Sequence, residues 1–266
     1  MCSHCTTFVR INQNYLYKMI LQSLLLFLAA LLGGLAVLVI RSPSKTTFQL
    51  LLVLSGGYLF AITVLHLLPE LFAMSASPKR VGLYILAGFF LQLLLELLTK
   101  GVEHGHMDAH TGSPHSVAPL PLLLALCIHA FLDGVVLHSP NSCPLHQHTA
   151  GLGGLLIGIL LHKIPVSFAL TSVLRELMPS KQKIIVYLVL FAVASPVGLW
   201  ASHHFSHQEG SSPEGLVAFF ALATGSLLHI ATTIFFEASP DHHLNAAKFL
   251  ASLAGATLAT LFEFLL

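Results

Sequence analysis

The chain has 266 residues, 55% of them hydrophobic and only 9% charged, whereas a soluble domain carries about 25% charged residues. Twelve Lys and Arg against eleven Asp and Glu leave a net charge of +1, with no basic run, which excludes nucleic acid as an expected partner and points to the lipid bilayer instead. Histidine is the outlier at seventeen, and imidazole is a common metal ligand.

A helix needs roughly 20 apolar residues to cross the hydrocarbon. Runs of that kind predict helices near 17–40, 48–72, 81–100, 120–138, 150–174, 183–201, 215–237 and 246–266. The fold expected is an all-α integral membrane protein of about eight transmembrane helices. A single domain, 18–266, follows an N-terminal tail at 1–17. The first apolar run, Met19 to Ile40, is too long for a signal peptide, whose apolar region is roughly 7 to 15 residues. Arg41-Ser42-Pro43, Ser75 to Pro78, Pro179-Ser180, Ser211-Ser212-Pro213 and Ser239-Pro240 punctuate the breaks. Gly33-Gly34, Gly56-Gly57 and Gly154-x-x-x-Gly158 are small-residue patches where membrane helices can approach closely.

Loop charge sets orientation. Arg41, Lys45, Lys100, Arg175, Lys181, Lys183 and Lys248 fall in or beside the first, third, fifth and seventh loops, against Arg10, Lys18, Lys79 and Arg80 on the other side. Both termini are therefore expected to be extracytoplasmic. The third loop, near 101–119, is a His-rich cytoplasmic stretch in which His104, His106 and His110 either capture metal weakly or simply solvate a linker. Cys143, His146 and His148, and His203, His204 and His207, make fainter cases on the outer side. Cys2, Cys5, Cys127 and Cys143 are too few and scattered for a disulfide framework.

Ionisable groups at bilayer depth are the informative ones, because a central Asp or Lys costs roughly 2.5 to 3.5 kcal/mol even on a lenient scale. In the fourth helix His129 and Asp133 stand at i and i+4, on one face. In the fifth, His162 and Lys163 precede Pro165, which removes the backbone bond to Leu161 and frees its carbonyl. His129, Asp133 and His162 are expected to converge near the midplane. Two imidazoles and a carboxylate suit Zn²⁺ as transported substrate, with water or one more donor completing the shell; Fe²⁺, Mn²⁺ or Cd²⁺ accept the same ligand types. The bland alternative is a His–Asp hydrogen bond tying helices together. His66 and Glu70 at one end, then Glu96, His229 and Glu237 with Asp241-His242-His243 toward the other, extend these residues into a ladder of ligands.

At these residues the chain resembles the ZIP family of zinc and iron transporters, over nearly its whole length from Lys18. His66-Leu67-Leu68-Pro69-Glu70, Gly88-Phe89-Phe90-Leu91 with Glu96, His129-x-x-x-Asp133-Gly134, His162-Lys163-x-Pro165 and Phe235-Phe236-Glu237 are similar to successive family motifs, in order. The resemblance implies eight helices, a metal site between the fourth and fifth, inward movement of metal, and alternating access of those helices against a scaffold that includes the second and seventh. Members with two metals typically show His-Asn-x-Pro-Glu-Gly in both site helices. Here Ala130 replaces the first Asn, Lys163 and Val166 replace the second Asn and Glu, and Ser195 before Pro196 stands for a sixth-helix glutamate. A lysine ammonium beside the site implies one metal rather than two.

Two other classes compete with transport. A zinc-dependent intramembrane hydrolase needs a placed general base, and the chain lacks His-Glu-x-x-His and has Lys163 and Val166 beside His162. A metal-sensing receptor or scaffold would bind without flux. The expectation is a transporter rather than an enzyme, with no organic cofactor, compatible with a homodimer, in a plasma or bacterial inner membrane.

Overall fold

The computed structural model describes residues 3–39, 45–99, 118–138, 150–207, 213–237 and 246–265. Among them there is no strand. In chain order the helices are α1 (Ser3–Val39), α2 (Lys45–Ile62), a π-helical turn (Thr63–Leu67), α3 (Leu68–Met74), α4 (Pro78–Thr99), α5 (Pro119–Val135), α6 (Ala150–Leu177), α7 (Lys181–His207), α8 (Pro213–Glu237) and α9 (Ala246–Leu265). α2, the π turn and α3 form one continuous span, so α4 to α9 are the third to eighth helices read from the sequence. Seven spans are long and apolar enough to cross a membrane. The other, α5, has 17 residues, about 25 Å at 1.5 Å per residue. It ends by tightening, with Leu137 N–H donating to Gly134 O at 3.3 Å and His138 N–H to Val135 O at 3.2 Å. The protein is an integral membrane protein.

α1 begins at Ser3, fourteen residues before the expected start at 17, so helix covers the stretch expected as a tail. Its membrane-length apolar part begins at Leu16. Along α4 the usual arrangement is inverted, as a lipid solvent requires. Leu83, Phe90, Leu94 and Leu97 are 55–68% exposed, whereas Gln92 and Thr99 are fully buried.

Three helix pairs share one packing device. A Cβ on Gly57 of α2 would meet the Ser252 carbonyl of α9, and one on Gly255 would meet the Leu54 carbonyl. In α4 and α8, Gly88 faces the Leu222 carbonyl and Gly225 faces that of Ile85. In α5 and α7, Gly134 faces the Ser195 carbonyl and Gly198 that of Phe131. Each glycine abuts the carbonyl three residues before its partner glycine. Such close approach needs a residue without a side chain and allows weak Cα–H···O contacts. α1 and α6 use half of the device: Gly33 lies on the Ile164 carbonyl and on the hydroxyl of Ser167. Successive spans reverse direction, so the members of every pair, an even number of spans apart, run the same way.

These pairings sort the spans into two halves. α1, α5, α6 and α7 share a buried cluster around Leu126, Ala130, Leu170 and Leu188. α3, α4 and α8 pack around Leu71, Ile85 and Phe220, and α2 and α8 around Leu52, Val53 and Ile230. A larger cluster, including Tyr58, Leu132, Ile159 and Leu227, joins the halves through side chains. At that boundary Gly158 of α6 receives the Tyr58 ring of α2, whose hydroxyl donates to the Gly154 carbonyl at 2.9 Å.

Candidate metal site

α5 and α6 bring four polar side chains together inside the bundle. His129, Asp133 and His162 are each 2% exposed and Lys163 is 1% exposed. The i, i+4 spacing on α5 places His129 Nε2 3.7 Å from Asp133 Oδ2. The His162 ring stands edge-on to His129, with centroids 5.9 Å apart. Donor atoms at 2.0–2.1 Å from a tetrahedral zinc lie about 3.4 Å apart, and the centres of two such imidazoles about 5.2 Å apart. Both observed separations are therefore wider than a ligating geometry by less than about 1 Å. As the side chains stand, no three His, Cys, Asp or Glu among the described residues are grouped to hold an ion.

A cation already belongs to this cluster. Lys163 Nζ donates to Asp133 Oδ2 at 3.4 Å and lies 5.1 Å from the centre of the Phe191 ring of α7. The ammonium thus has a carboxylate and an aromatic face, the two partners a buried charge requires. Two positions that depart from the two-metal motif satisfy each other. Ser195 Oγ donates to the Ala130 carbonyl at 2.5 Å, beside the Gly134 crossing.

Two further polar clusters stand at opposite ends of the bundle. His66, in the π turn, lies about 30 Å from the start of α2. Its Nδ1 is 3.1 Å from Glu263 Oε1 of α9, and its Nε2 is 3.5 Å from Glu70 Oε2. The imidazole is thus clasped between two carboxylates. Pro69 explains the turn. It has no N–H for the Leu65 carbonyl and its ring crowds that group, so the preceding turn widens and Leu68 N–H reaches back to Thr63 O. At the other end, His229 Nε2 of α8 pairs with Glu96 Oε2 of α4 at 2.6 Å. One turn away, Ser226 Oγ donates to Gln92 Oε1 at 2.8 Å. His229 also meets the Phe89 ring edge-on, with centroids at 4.6 Å.

The structure thus brings His129, Asp133, His162 and Lys163 together, keeps His66 with Glu70, and couples His229 to Glu96. Glu263 was missed, since a lone carboxylate near the end of an apolar helix carries no local signal. His104, His106 and His110, the side chain of Glu237, and Asp241-His242-His243 lie outside the described residues.

Comparison with known proteins agrees with these motifs. The family model described as ZIP Zinc transporter matches residues 16–121 and 98–263. The chain is 28% identical over 175 residues to "Zinc transporter ZIP9" of Micropogonias undulatus, covering 63% of this chain and 54% of that protein. It is 29% identical over 117 residues to "Zinc transporter ZIP9" of Xenopus tropicalis, covering 44% and 37%. The chain spans about half the length, or less, of these curated relatives. A family match over nearly all eight spans, joined to the order of the polar motifs along them, places this chain in the ZIP zinc transporter family.

Proposed function

We propose that the chain carries divalent zinc across the membrane toward the cytosol, one ion at a time, through a site formed by His129, Asp133 and His162. The observation that carries this reading is the convergence of two imidazoles and a carboxylate, all buried, from two spans of a membrane bundle. Buried polar groups at this depth are costly and are retained for function. Closing the His129–Asp133 and His129–His162 separations by less than about 1 Å each would bring both to values that a shared tetrahedral zinc allows. Water or the Leu161 carbonyl supplies the fourth, since Pro165 within α6 has no N–H to engage that oxygen. Fe²⁺, Mn²⁺ and Cd²⁺ would compete at the same ligands.

Lys163 replaces a second metal. Between ions its ammonium neutralises Asp133; when zinc arrives, carboxylate and ammonium part, and their re-pairing favours release. His66, Glu70 and Glu263 form the outer station and Glu96, His229 and Glu237 the inner one, on the orientation implied by loop charge. The half containing α5 and α6 meets the other through side chains such as Tyr58 against Gly158, an interface suited to sliding, while the glycine–carbonyl crossings hold each half rigid. A hydrolase reading is disfavoured because the cation beside His162 is bound to Asp133, where a base would be needed.

The test is zinc uptake into proteoliposomes loaded with a zinc-sensitive dye. His129→Ala, Asp133→Ala and His162→Ala should each abolish uptake while the protein still reconstitutes. Undiminished uptake in all three defeats the assignment.

A further inference from the structure

A second histidine pair lies outside the proposed route. His138 ends the tightened turn after α5, and His203 lies in the last turns of α7. Their rings stand 5.2 Å apart between centroids, at 81°. His138 is 4% exposed and His203 half-buried, with the Trp200 ring edge-on to it at 6.4 Å. The spacing of the rings is compatible with the roughly 5.2 Å between the centres of two imidazoles on one tetrahedral ion once their nitrogens turn toward it, and is tighter than that of His129 and His162. The Gly134 and Gly198 crossings hold α5 close to α7 one to two turns away.

We propose that His138 and His203 form a second transition-metal site at the outer end of the α5–α7 pair. The two imidazoles are the protein donors, and water would complete the shell. The site is distinct from the proposed transport site. His138 lies five residues past Asp133, about 7.5 Å along the axis and well round the helix from it, so the two share no ligand. Alternating spans put it on the same face of the bundle as His66 and Glu263. Imidazole donors select Zn²⁺, Ni²⁺, Co²⁺ or Cu²⁺ over Mg²⁺ and Ca²⁺, which prefer oxygen. An ion here would bridge the ends of two helices of the moving half, holding metal at the outer face without obstructing the route.

The experiment counts zinc ions bound per chain by equilibrium dialysis of the full chain in detergent, with excess Mg²⁺ present. His129→Ala/Asp133→Asn/His162→Ala removes the proposed transport site; in that background, adding His138→Gln and His203→Gln should lower the zinc count by one further ion per chain. In the otherwise native chain, His203→Gln alone should lower the count by one ion and abolish the visible absorption of four-coordinate Co²⁺ attributable to this site. Uptake should continue in His203→Gln. An unchanged zinc count in His203→Gln overturns the proposal whether or not the multiple variant folds. Loss of uptake in Asp133→Asn with no change of count in His203→Gln would leave the transport reading standing and remove only this one.

Discussion

Replacing Lys163 with methionine tests the central electrostatic claim, because the two side chains are close in volume and only the charge is lost. Lys163 Nζ and Asp133 Oδ2 are 3.4 Å apart and buried, so their attraction is about 5 kcal/mol at an effective dielectric of 20. Desolvating two ions costs several kcal/mol each, and the pair as a whole is close to neutral for stability. Removing one member is not neutral. It leaves Asp133 buried without its cation, at a cost of about 3–5 kcal/mol. Zinc reverses this balance. An ion about 2 Å from Oδ2 sits roughly 5 Å from the ammonium, where repulsion at the same dielectric is about 7 kcal/mol. Even after relaxation and screening remove most of that, Lys163→Met should bind zinc at least tenfold more tightly, about 1.4 kcal/mol. The variant should therefore melt well below the parent without metal, regain much of the loss with zinc, and turn over more slowly because release is impeded. Thermal unfolding in detergent with and without zinc, calorimetric titration and proteoliposome uptake read these three effects. A zinc affinity within twofold of the parent, with unchanged zinc-free stability, would refute the counter-cation argument.

Other outcomes follow from the same geometry. Gly198→Leu drives a side chain into the Phe131 carbonyl and should destabilise the protein by about 1–3 kcal/mol or more, lowering its melting temperature; Gly82→Leu, where a Cβ meets open space, should be close to neutral in the same measurement. Tyr58→Phe removes the hydrogen bond to Gly154 O and should cost about 0.6 kcal/mol, the membrane average, while raising the uptake rate if that bond restrains the two halves. Glu263→Gln weakens the clasp on His66; the proposal predicts a higher KM for zinc with kcat little changed, and a fall in kcat alone would place Glu263 in the turnover step instead.

The eight spans were legible because lipid selects a simple signal, apolar runs broken by Ser, Pro and Gly. Their ends were less so. The first dozen residues of α1 are mostly polar, and a search for apolar length does not register helix that continues beyond the apolar band. His129 with Asp133 was readable because both lie on one helix, where spacing alone fixes a shared face. Glu263 with His66, Ser195 with the Ala130 carbonyl, and His138 with His203 join positions 65 to 197 residues apart, and no periodicity within one helix reveals such a meeting. The glycines show the same division. Gly33 and Gly57 could be read as close-packing positions, but the three-residue offset that matches each glycine to a partner carbonyl emerges only once the helices are paired. Gly154 differs from that expectation: nothing lies closer than 3.5 Å to a Cβ built there, and its part is to offer a carbonyl to Tyr58.

The pairing pattern also sets an order for biogenesis. A ribosome delivers the spans one after another, and α1, α5, α6 and α7 have all been synthesised once translation passes His207. The other half cannot close so early: Gly57 waits for Ser252 and Gly255, almost two hundred residues later. Until then α2 sits in the bilayer with its Gly57 face unmatched, and α4 waits in the same way for Leu222 and Gly225 of α8. Sequence-distant closure of this kind is slow and prone to misassembly. A substitution at Gly57 or Gly255 should accordingly appear in cells first as degradation of a nearly finished chain, before any fault in zinc handling can be seen.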